Sequence, residues 1–538
     1  MKLHLQALLL ALIASTIFIA SVNLHHFRHA FSSAGAVLDH SIPLPRRNAQ
    51  SLVLIEPLPL PLRLRSPAPI DAVLLPDWEI LVVLPLGSPI PSQPIPCRFP
   101  KGIVSDAVPA GVIPSSGRAT LRCPIPPLAR RRLDPPQIPG AATTSELIRW
   151  NKLVYEAIST PDDVIVFAKG VNNRQGVNRP SGDLHCVFLS DGSAVASTPV
   201  TSSVQEVFRC SHPQPNTLSG NDLRVSLQLH GETRVFPSLA TYKPLSRDLH
   251  PAAQNKTKSL VCACTMVYDV AKFLGEWVTY HSAIGVDRFI IYDNGSEDEL
   301  GSAVTRLVRE GHDVSTILWP WAKTQEAGFS HCAAAHRDSC EWMAFIDVDE
   351  FLFAPSWAKS AEPNRTMIRS ILPTEPDSDR IGQVSVDCRD FGPSGRKEHP
   401  VRGVTQGYTC RARAEERHKS LVLLRAVTGS LVNVVHHFWL AGGWRSIRVR
   451  SNEVVVHHYK FQAWPEFRTK FRRRVSAYVA DWKNGVNMNS KDRTPGLGSE
   501  PVEPVGWEHK FCEVNDTGLM DLNRRWFGLG DHGRMAWE

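Results

Sequence analysis

The sequence predicts an α/β protein whose C-terminal domain is built on a mostly parallel sheet and is preceded by a β-rich, sandwich-like region. From residue 258 onward, apolar runs of strand character alternate strictly with helical patterns, which calls for right-handed crossovers and a parallel sheet with helices on both faces. Between about residues 77 and 250 the runs are short, β-branched or aromatic, and closed by Gly, Pro, Asn, Asp or Ser. Examples are DWEILVVLP, GRATLRCPIP, DDVIVFAKGV, LHCVFLSDGS, VQEVFRCSHP and DLRVSLQLHG, the texture of a small sandwich. Of the 41 prolines, 22 fall between Pro43 and Pro139, a density that favours extended, semi-rigid chain over helix.

Taken in order, residues 1–24, MKLHLQALLLALIASTIFIASVNL, carry Lys2 and then no formal charge before Arg28. A signal anchor and a cleaved signal peptide both begin this way. The apolar core from Ala7 to Ala20 is short, but its flanks bring it to the roughly 20 residues a span needs. An N-terminal signal anchor over 1–24 is the preferred reading, against a cleaved signal or a buried helix, and makes the rest of the chain lumenal. A Pro-rich stem over 25–76 follows, then the β-rich accessory region over 77–250, then the α/β domain over 256–530. In the accessory region only Thr144 to Ala157 reads as helix. That region is expected to be a spacer, with a carbohydrate-binding module as the alternative and Trp78, Trp150 and Phe236 in its core. In the α/β domain strands are expected from Ser259 to Val267, Arg288 to Asp293, Val314 to Trp321 and Trp342 to Ile346. Helices are expected from Asp269 to Ala283, Glu297 to Glu310 and Thr324 to Cys340.

An apolar fraction of 43% is ordinary for globular protein and excludes a disordered chain. A net charge of +7 with both signs mixed along 538 residues argues against a nucleic-acid partner and against a polybasic membrane arm. The tripeptides Asn255-Lys-Thr, Asn364-Arg-Thr and Asn515-Asp-Thr are N-glycosylation acceptors in a lumenal chain. The eleven cysteines include Cys97 with Cys123, Cys186 with Cys210 and Cys388 with Cys410 at hairpin-like separations that oxidise in the secretory pathway. Cys332 and Cys340, read as one helix, would be separated by a rise of about 12 Å, too far to bridge. An odd count leaves at least one thiol free or paired between chains; a homodimer through the stem or β-rich region is entertained, with no pattern that specifies it.

Ligands of such sheets bind at the carboxyl ends of the strands, so the strand tips carry the functional reading. They are Thr265 to Asp269, then Asp293, Asn294 and Gly295 in IIYDNGSED, then Asp347, Val348, Asp349 and Glu350 in WMAFIDVDEFLF. No Gly-rich phosphate loop follows the first strand, so a bound diphosphate needs a metal. Two aspartates at i and i+2 beyond a buried strand present hard oxygens suited to Mn²⁺ or Mg²⁺.

The blocks VCACTMVYDVAKFLGEWVTYHSAIGVDRFIIYDNGSEDEL, TQEAGFSHCAAAHRDSCEWMAFIDVDEFLF and VVVHHYKFQAWPEFRTKFRRRV resemble the plant branch of glycosyltransferase family 92. The resemblance implies a GT-A, Rossmann-like fold and metal-dependent inverting transfer from a sugar nucleotide by a single-pass type II Golgi membrane protein. It implies UDP-galactose as donor and a polysaccharide or glycan as acceptor, as in the plant galactan synthases. It places the metal on Asp347 and Asp349, with Glu350 beside them or at the acceptor. Tyr268, Asp293 and Asn294, together with Thr265 on the first strand tip, are expected around the nucleotide. Glu276 and His281 match the family's E-W-x-x-x-H block and are expected mainly to brace the first helix; Gln325 and His331 belong to its Q-x-x-x-x-x-H-C block. A histidine from a late strand completes the metal set, His458 being preferred and His437 the alternate. Lys460, or a residue of the basic run Arg468, Lys470, Arg472, Arg473 and Arg474, is the candidate counter-charge for the diphosphate. The general base is sought among Asp390, Glu415 and Glu416, with Asp390 preferred. Competing readings are a Ca²⁺-dependent lectin and a metal-dependent phosphoryl transferase.

Overall fold

The computed structural model describes residues 69–91, 94–142, 144, 146–172, 177–214, 223–244, 258–374, 379–470, 503–530 and 533–538. The expected anchor at 1–24, the stem as far as residue 68, Asn255 and Arg472, Arg473 and Arg474 lie outside the described residues. Among the described residues no helix is long and apolar enough to cross a membrane.

The β-rich region forms two six-stranded sheets. The first contains β1 (Asp71–Leu75), β2 (Glu79–Val83), β3 (Ile95–Arg98), β4 (Val104–Val112), β5 (Ala119–Pro124) and β6 (Leu147–Arg149), in the order β3-β4-β5-β2-β1-β6. The second contains β7 (Leu153–Ser159), β8 (Val164–Lys169), β9 (Leu184–Ser190), β10 (Ser193–Val204), β11 (Val207–Cys210) and β12 (Leu223–Leu229), in the order β12-β9-β10-β11-β8-β7. The first sheet already begins at Asp71, inside the expected stem. The helix expected from Thr144 to Ala157 is replaced by β6, parallel to β1, and β7, antiparallel to β8; ladder partners distant in sequence override the local pattern. Trp78 is 45% exposed, beneath the Arg130 guanidinium, rather than core; Trp150 and Phe236 are half-buried.

The α/β part starts with β13 (Ser259–Val267), α1 (Ala271–Ile284), β14 (Arg288–Asp293), α2 (Leu300–Arg309), β15 (Val314–Leu318), α3 (Gln325–Ala335) and β16 (Cys340–Phe345). Helix α1 stops at Gly285, φ 115°, where a Cβ would fall 1.9 Å from the Arg365 carbonyl oxygen; only glycine fits that turn. After β16 come β17 (Glu350–Phe353), β18 (Ile381–Phe391), the short α4 (Val404–Gly407), β19 (Cys410–Leu423), β20 (Asn433–Val434), β21 (His437–Phe438), β22 (Arg445–Arg448), β23 (Val455–His458), β24 (Val514–Asn515), α5 (Gly518–Phe527) and the pair β25 (Gly528–Leu529) and β26 (Arg534–Met535). The main sheet runs β15-β14-β13-β16-β19-β18-β23-β17. Its first four strands are parallel, as expected; β19 is antiparallel to β16 and β18, and β17 to β23. The sheet is therefore mixed, with β15, β14, β13, β16, β18 and β23 running one way and β19 and β17 the other.

Side-chain alternation along the strands divides the main sheet into two faces. Val261 and Ala263 of β13, with Phe289, Ile291, Trp342 and Ala344, pack beneath Leu274, Trp277 and Val278 of α1 and Leu300 and Leu307 of α2. The opposite face, with Ile290, Tyr292, Met343 and Phe345, joins one apolar cluster with Val73 and Leu81 of the first β-rich sheet, Tyr155 and Phe167 of the second, and Phe329 of α3. Helices cover one face; on the other, α3 shares the task with the β-rich sheets. The accessory region thus completes the core of the α/β domain and is not a detached spacer.

Cys97–Cys123 and Cys186–Cys210 form as expected. Cys388 does not pair with Cys410: it is a buried free thiol, while Cys410 bonds Cys512. Cys332 and Cys340 do not share a helix, since α3 ends at Ala335. Each reaches β13, as Cys264–Cys332 and Cys262–Cys340.

Candidate active site

The chain leaves the sheet after β16, turns through Ile346, Asp347, Val348 and Asp349, and re-enters it as β17 at the far edge. Register does the assembly: β17 places Glu350 opposite His458 of β23, and β18 places Asp390 opposite His458 from the other side. Residues opposed across a ladder share a face, so three strands bring two carboxylates against one imidazole. His458 Nδ1 lies 2.9 Å from Asp390 Oδ1. A carboxylate can only accept, so the proton sits on Nδ1 and the Nε2 lone pair points away. That Nε2 is 3.6 Å from Glu350 Oε1 and 3.8 Å from Asp349 Oδ2.

Three ammonium groups are interleaved with the four acids. Lys460 bonds the second oxygen of Asp390, and Lys470 bonds Asp349. Lys419, fully buried, lies 3.2 Å from Asp347 Oδ2, 2.5 Å from Glu350 Oε1 and 2.8 Å from His436 Nε2. The two aspartates of the turn consequently differ. Burial pushes Asp347 up to about 7 against the pull of Lys419. For Asp349 the same burial is outweighed by Lys470 and His458, which hold it below the usual carboxylate range. Burial likewise opposes ionisation of Asp390, but Lys460 and His458 hold it far below that range.

One ligand atom from each of Asp349, Glu350 and His458 falls within 4.8 Å of the others. Two hard carboxylate oxygens with one imidazole nitrogen suit Mn²⁺, and the oxygens alone suit Mg²⁺. Asp347 Oδ1 is buried close by without a partner. These residues fit a divalent cation: Glu350 joins the expected Asp349 and His458, and Lys419 contacts both Glu350 Oε1 and Asp347 Oδ2. The second histidine beside the cluster is His436, 3.7 Å from Asp347, not His437, which faces away onto His418 at 2.5 Å.

Next to the cluster lies a cavity of about 70 Å³ lined by Tyr268, Asp269, Asp349, Gln462, Glu466 and Lys470 among others. Tyr268 is where the first strand tip was expected to meet a ligand. Thr265 is buried with its hydroxyl unpartnered and does not line the cavity. Asp293 accepts from the Gly295 and Ser296 amides, and Asn294 donates to the Trp319 and Trp321 carbonyls at 2.7 and 3.2 Å. Neither lines the cavity. Glu276 accepts from the Val404 and Thr405 amides at the start of α4, and burial pushes it up to about 7. Gly403 permits that approach, since a Cβ there would lie 2.4 Å from Glu276 Oε2. His281 bridges the Trp277 carbonyl and the Leu352 amide, and burial lowers it to about 3. His331 meets the Tyr292 hydroxyl at 2.7 Å among Trp319 and Phe167, and buried Gln325 opens α3. None of the four lines the cavity. Glu415 is exposed on Arg389, and Asp390 has both oxygens engaged. Asn364 and Asn515 are exposed.

Lys419, Gln462 and Glu466 were not anticipated. Lys419 had a signal, since in RHKSLVLL a lysine leads directly into an apolar run, as the acids of WMAFIDVDEFLF follow one. A buried ammonium demands buried carboxylates.

The strand tips gather acids, an imidazole and ammonium groups beside one cavity, and the family that the chain matches gives the class, that of the glycosyltransferases. The chain belongs to glycosyltransferase family 92, which residues 257–491 match. It is 42% identical to a glycosyltransferase family 92 protein of Oryza sativa subsp. japonica over 410 residues, 72% of this chain and 68% of that one. It is 38% identical to one of Ricinus communis over 493 residues, 87% of this chain and 85% of that one. A solved mannosyltransferase from Pyrobaculum calidifontis, in complex with GDP-Man and Mn²⁺, is 13% identical, covers 50% of this chain and 74% of its own, and has a TM-score of 0.24. A likeness that slight carries no argument about this chain.

Proposed function

We propose that the protein is a GT-A, metal-assisted inverting glycosyltransferase that moves a hexose, galactose from UDP-galactose, onto a cell-wall polysaccharide or other glycan in the Golgi lumen. The observation that supports it most is the convergence of Asp349, Glu350 and His458 beside a cavity that Tyr268 and Asp269 also line, in a chain of family 92.

Asp349, Glu350 and His458 would hold Mn²⁺ or Mg²⁺. When bound, such an ion supplies Lewis-acid neutralisation of a diphosphate leaving group. Asp390 keeps the His458 proton on Nδ1 and leaves Nε2 free to ligate, the usual service of a carboxylate behind a metal-binding histidine. That assignment displaces Asp390 as general base, because a strongly acidic carboxylate with both oxygens bonded is a poor proton acceptor. Lys470 lines the cavity and, with Lys460, adds positive charge where the leaving group departs. Glu466, on the cavity wall and paired with Lys272, takes the role of accepting the acceptor hydroxyl's proton.

The test is a screen of nucleotide-sugar donors with the full chain and a galactan acceptor, with and without Mn²⁺. UDP-galactose turnover that is lost on chelation supports the reading. Turnover indifferent to chelation removes the metal, and transfer only from another donor removes galactose. Glu466→Gln is expected to lower kcat by about 10² to 10⁴, the usual worth of a general base.

A further inference from the structure

The β-rich sheets touch the α/β domain through more than apolar surface. At the rim of the shared core, Arg122 of β5 grips Glu79 of β2 with two bonds, Nε to Oε2 at 3.2 Å and Nη2 to Oε1 at 2.7 Å. The rest of the guanidinium crosses to the loop after β14, with Nη1 donating to the Gly295 carbonyl at 2.8 Å and Nη2 to Glu297 Oε1 at 2.8 Å. The contact is close: a Cβ on Gly295, φ 92°, would lie 3.4 Å from Arg122 Nη1. Only arginine's rigid, forked set of donors can be anchored on one carboxylate while holding a carbonyl and a second carboxylate.

That loop is wired to the cavity. Asp293 Oδ1 accepts from the Gly295 and Ser296 amides. Ser296 Oγ accepts the Asp269 amide at 2.7 Å, and Asp269 Oδ1 accepts the Glu297 amide at 2.8 Å. Asp269 lines the cavity at φ 50°, a left-handed conformation that an ordinary residue keeps only when its surroundings enforce it.

We propose that Arg122 is a positioning residue for the donor pocket: the accessory sheet clamps loop 293–297 through Arg122, and the loop in turn holds Asp269 and Tyr268 in the conformation that receives the nucleotide. The inference rests on the glycosyl-donor reading of the cavity. It assigns the β-rich region a part in catalysis without any contact to substrate.

The experiment uses the full chain as wild type, Arg122→Met, Arg122→Lys and, as a baseline in the same β-rich region, Arg130→Ala, whose guanidinium stacks on Trp78. Amide hydrogen exchange is followed over residues 294–298 and 268–270, UDP binding with Mn²⁺ by calorimetry, and donor KM against kcat. R122M is expected to exchange faster in both segments and to raise donor KM about tenfold with kcat within about threefold, the signature of lost ground-state positioning. R130A should match wild type. R122K keeps a charge for Glu79 and Glu297 but lacks the fork that spans to Gly295, so it shows the same changes to a smaller degree and serves if R122M does not fold. Wild-type exchange at 268–270 in the Arg122 variants overturns the proposal, as does an unchanged donor KM. Failure of the wild-type chain to bind UDP with Mn²⁺ would overturn the donor role of the clamp and the functional reading together. Faster exchange at 268–270 in R122M would then still establish the clamp itself.

Discussion

Two strand tips that look alike in sequence have opposite fates in the fold. The tip of β14, Asp293-Asn294-Gly295, and the tip of β16, Asp347-Val348-Asp349-Glu350, are both polar caps on apolar strands. At the first, Asp293 turns back onto the amides of its own loop and Asn294 onto the carbonyls after β15. At the second, the side-chain oxygens meet lysines and a histidine brought from β19, β23 and the segment beyond. A carboxylate at a strand end is available for chemistry only when local backbone donors do not already occupy it, and only long-range partners decide that.

The sharpest way to break the contrast is to neutralise one acid at each tip. Asp349→Asn is expected to lower kcat/KM on the order of 10³-fold, comparable to removing a main electrostatic stabiliser, with thermal unfolding little changed. Asp293→Asn, which keeps an acceptor oxygen for the Gly295 and Ser296 amides, should change kcat/KM by less than about threefold, within the range of a retained hydrogen bond. Equal losses in the two variants would erase the distinction. Lys419→Met probes the long-range partner instead. It leaves Asp347 and Glu350 buried without their cation, so a loss of about 3–5 kcal/mol in chemical denaturation is expected.

Smaller effects refine the comparison. Asp293→Ala strands two loop amides and should cost about 1–3 kcal/mol of stability, read as a lower denaturant midpoint. Glu276 is a third buried acid, spent like Asp293 on backbone donors. Its native value of about 7, raised from 4.5, means the folded chain keeps a proton that the unfolded chain releases. Its contribution is full below pH 4.5 and is lost as pH rises through 7, with a slope of at most about 1.4 kcal/mol per pH unit. Glu276→Gln should flatten the stability profile in that window, and an unaltered slope would place the proton elsewhere.

Local pattern made much of the catalytic domain legible. The strands expected from Ser259 to Val267 and from Arg288 to Asp293 form over those residues, because their runs are long and apolar and leave no competing period. Boundaries drifted where the signal thinned: the helix expected to reach Cys340 stops at Ala335, and Cys340 already begins β16. The stretch from Thr144 to Ala157 failed because its partners, β1 and β8, were not visible in the local period. In the site, Asp349 and His458 were named beforehand as ligands and Glu350 as their neighbour, and the fold gathers all three. Spacing along one strand could not show that β17 turns Glu350 toward His458, or that Lys419 reaches both Glu350 and Asp347.

By itself, then, the sequence determined the α/β alternation, the acidic tip on a buried strand, two of the cystines and the membership of family 92, all features carried by residues near one another or by whole blocks of chain. Tertiary structure alone decided which face of the central sheet the accessory strands cover, which cysteines Cys262 and Cys264 reach, and which acids face lysine, backbone or imidazole. Those outcomes depend on register and on side chains far apart in the chain, as with Lys419 and Asp347, 72 positions apart. The free energy of a buried charge is set by the partners that the fold places beside it.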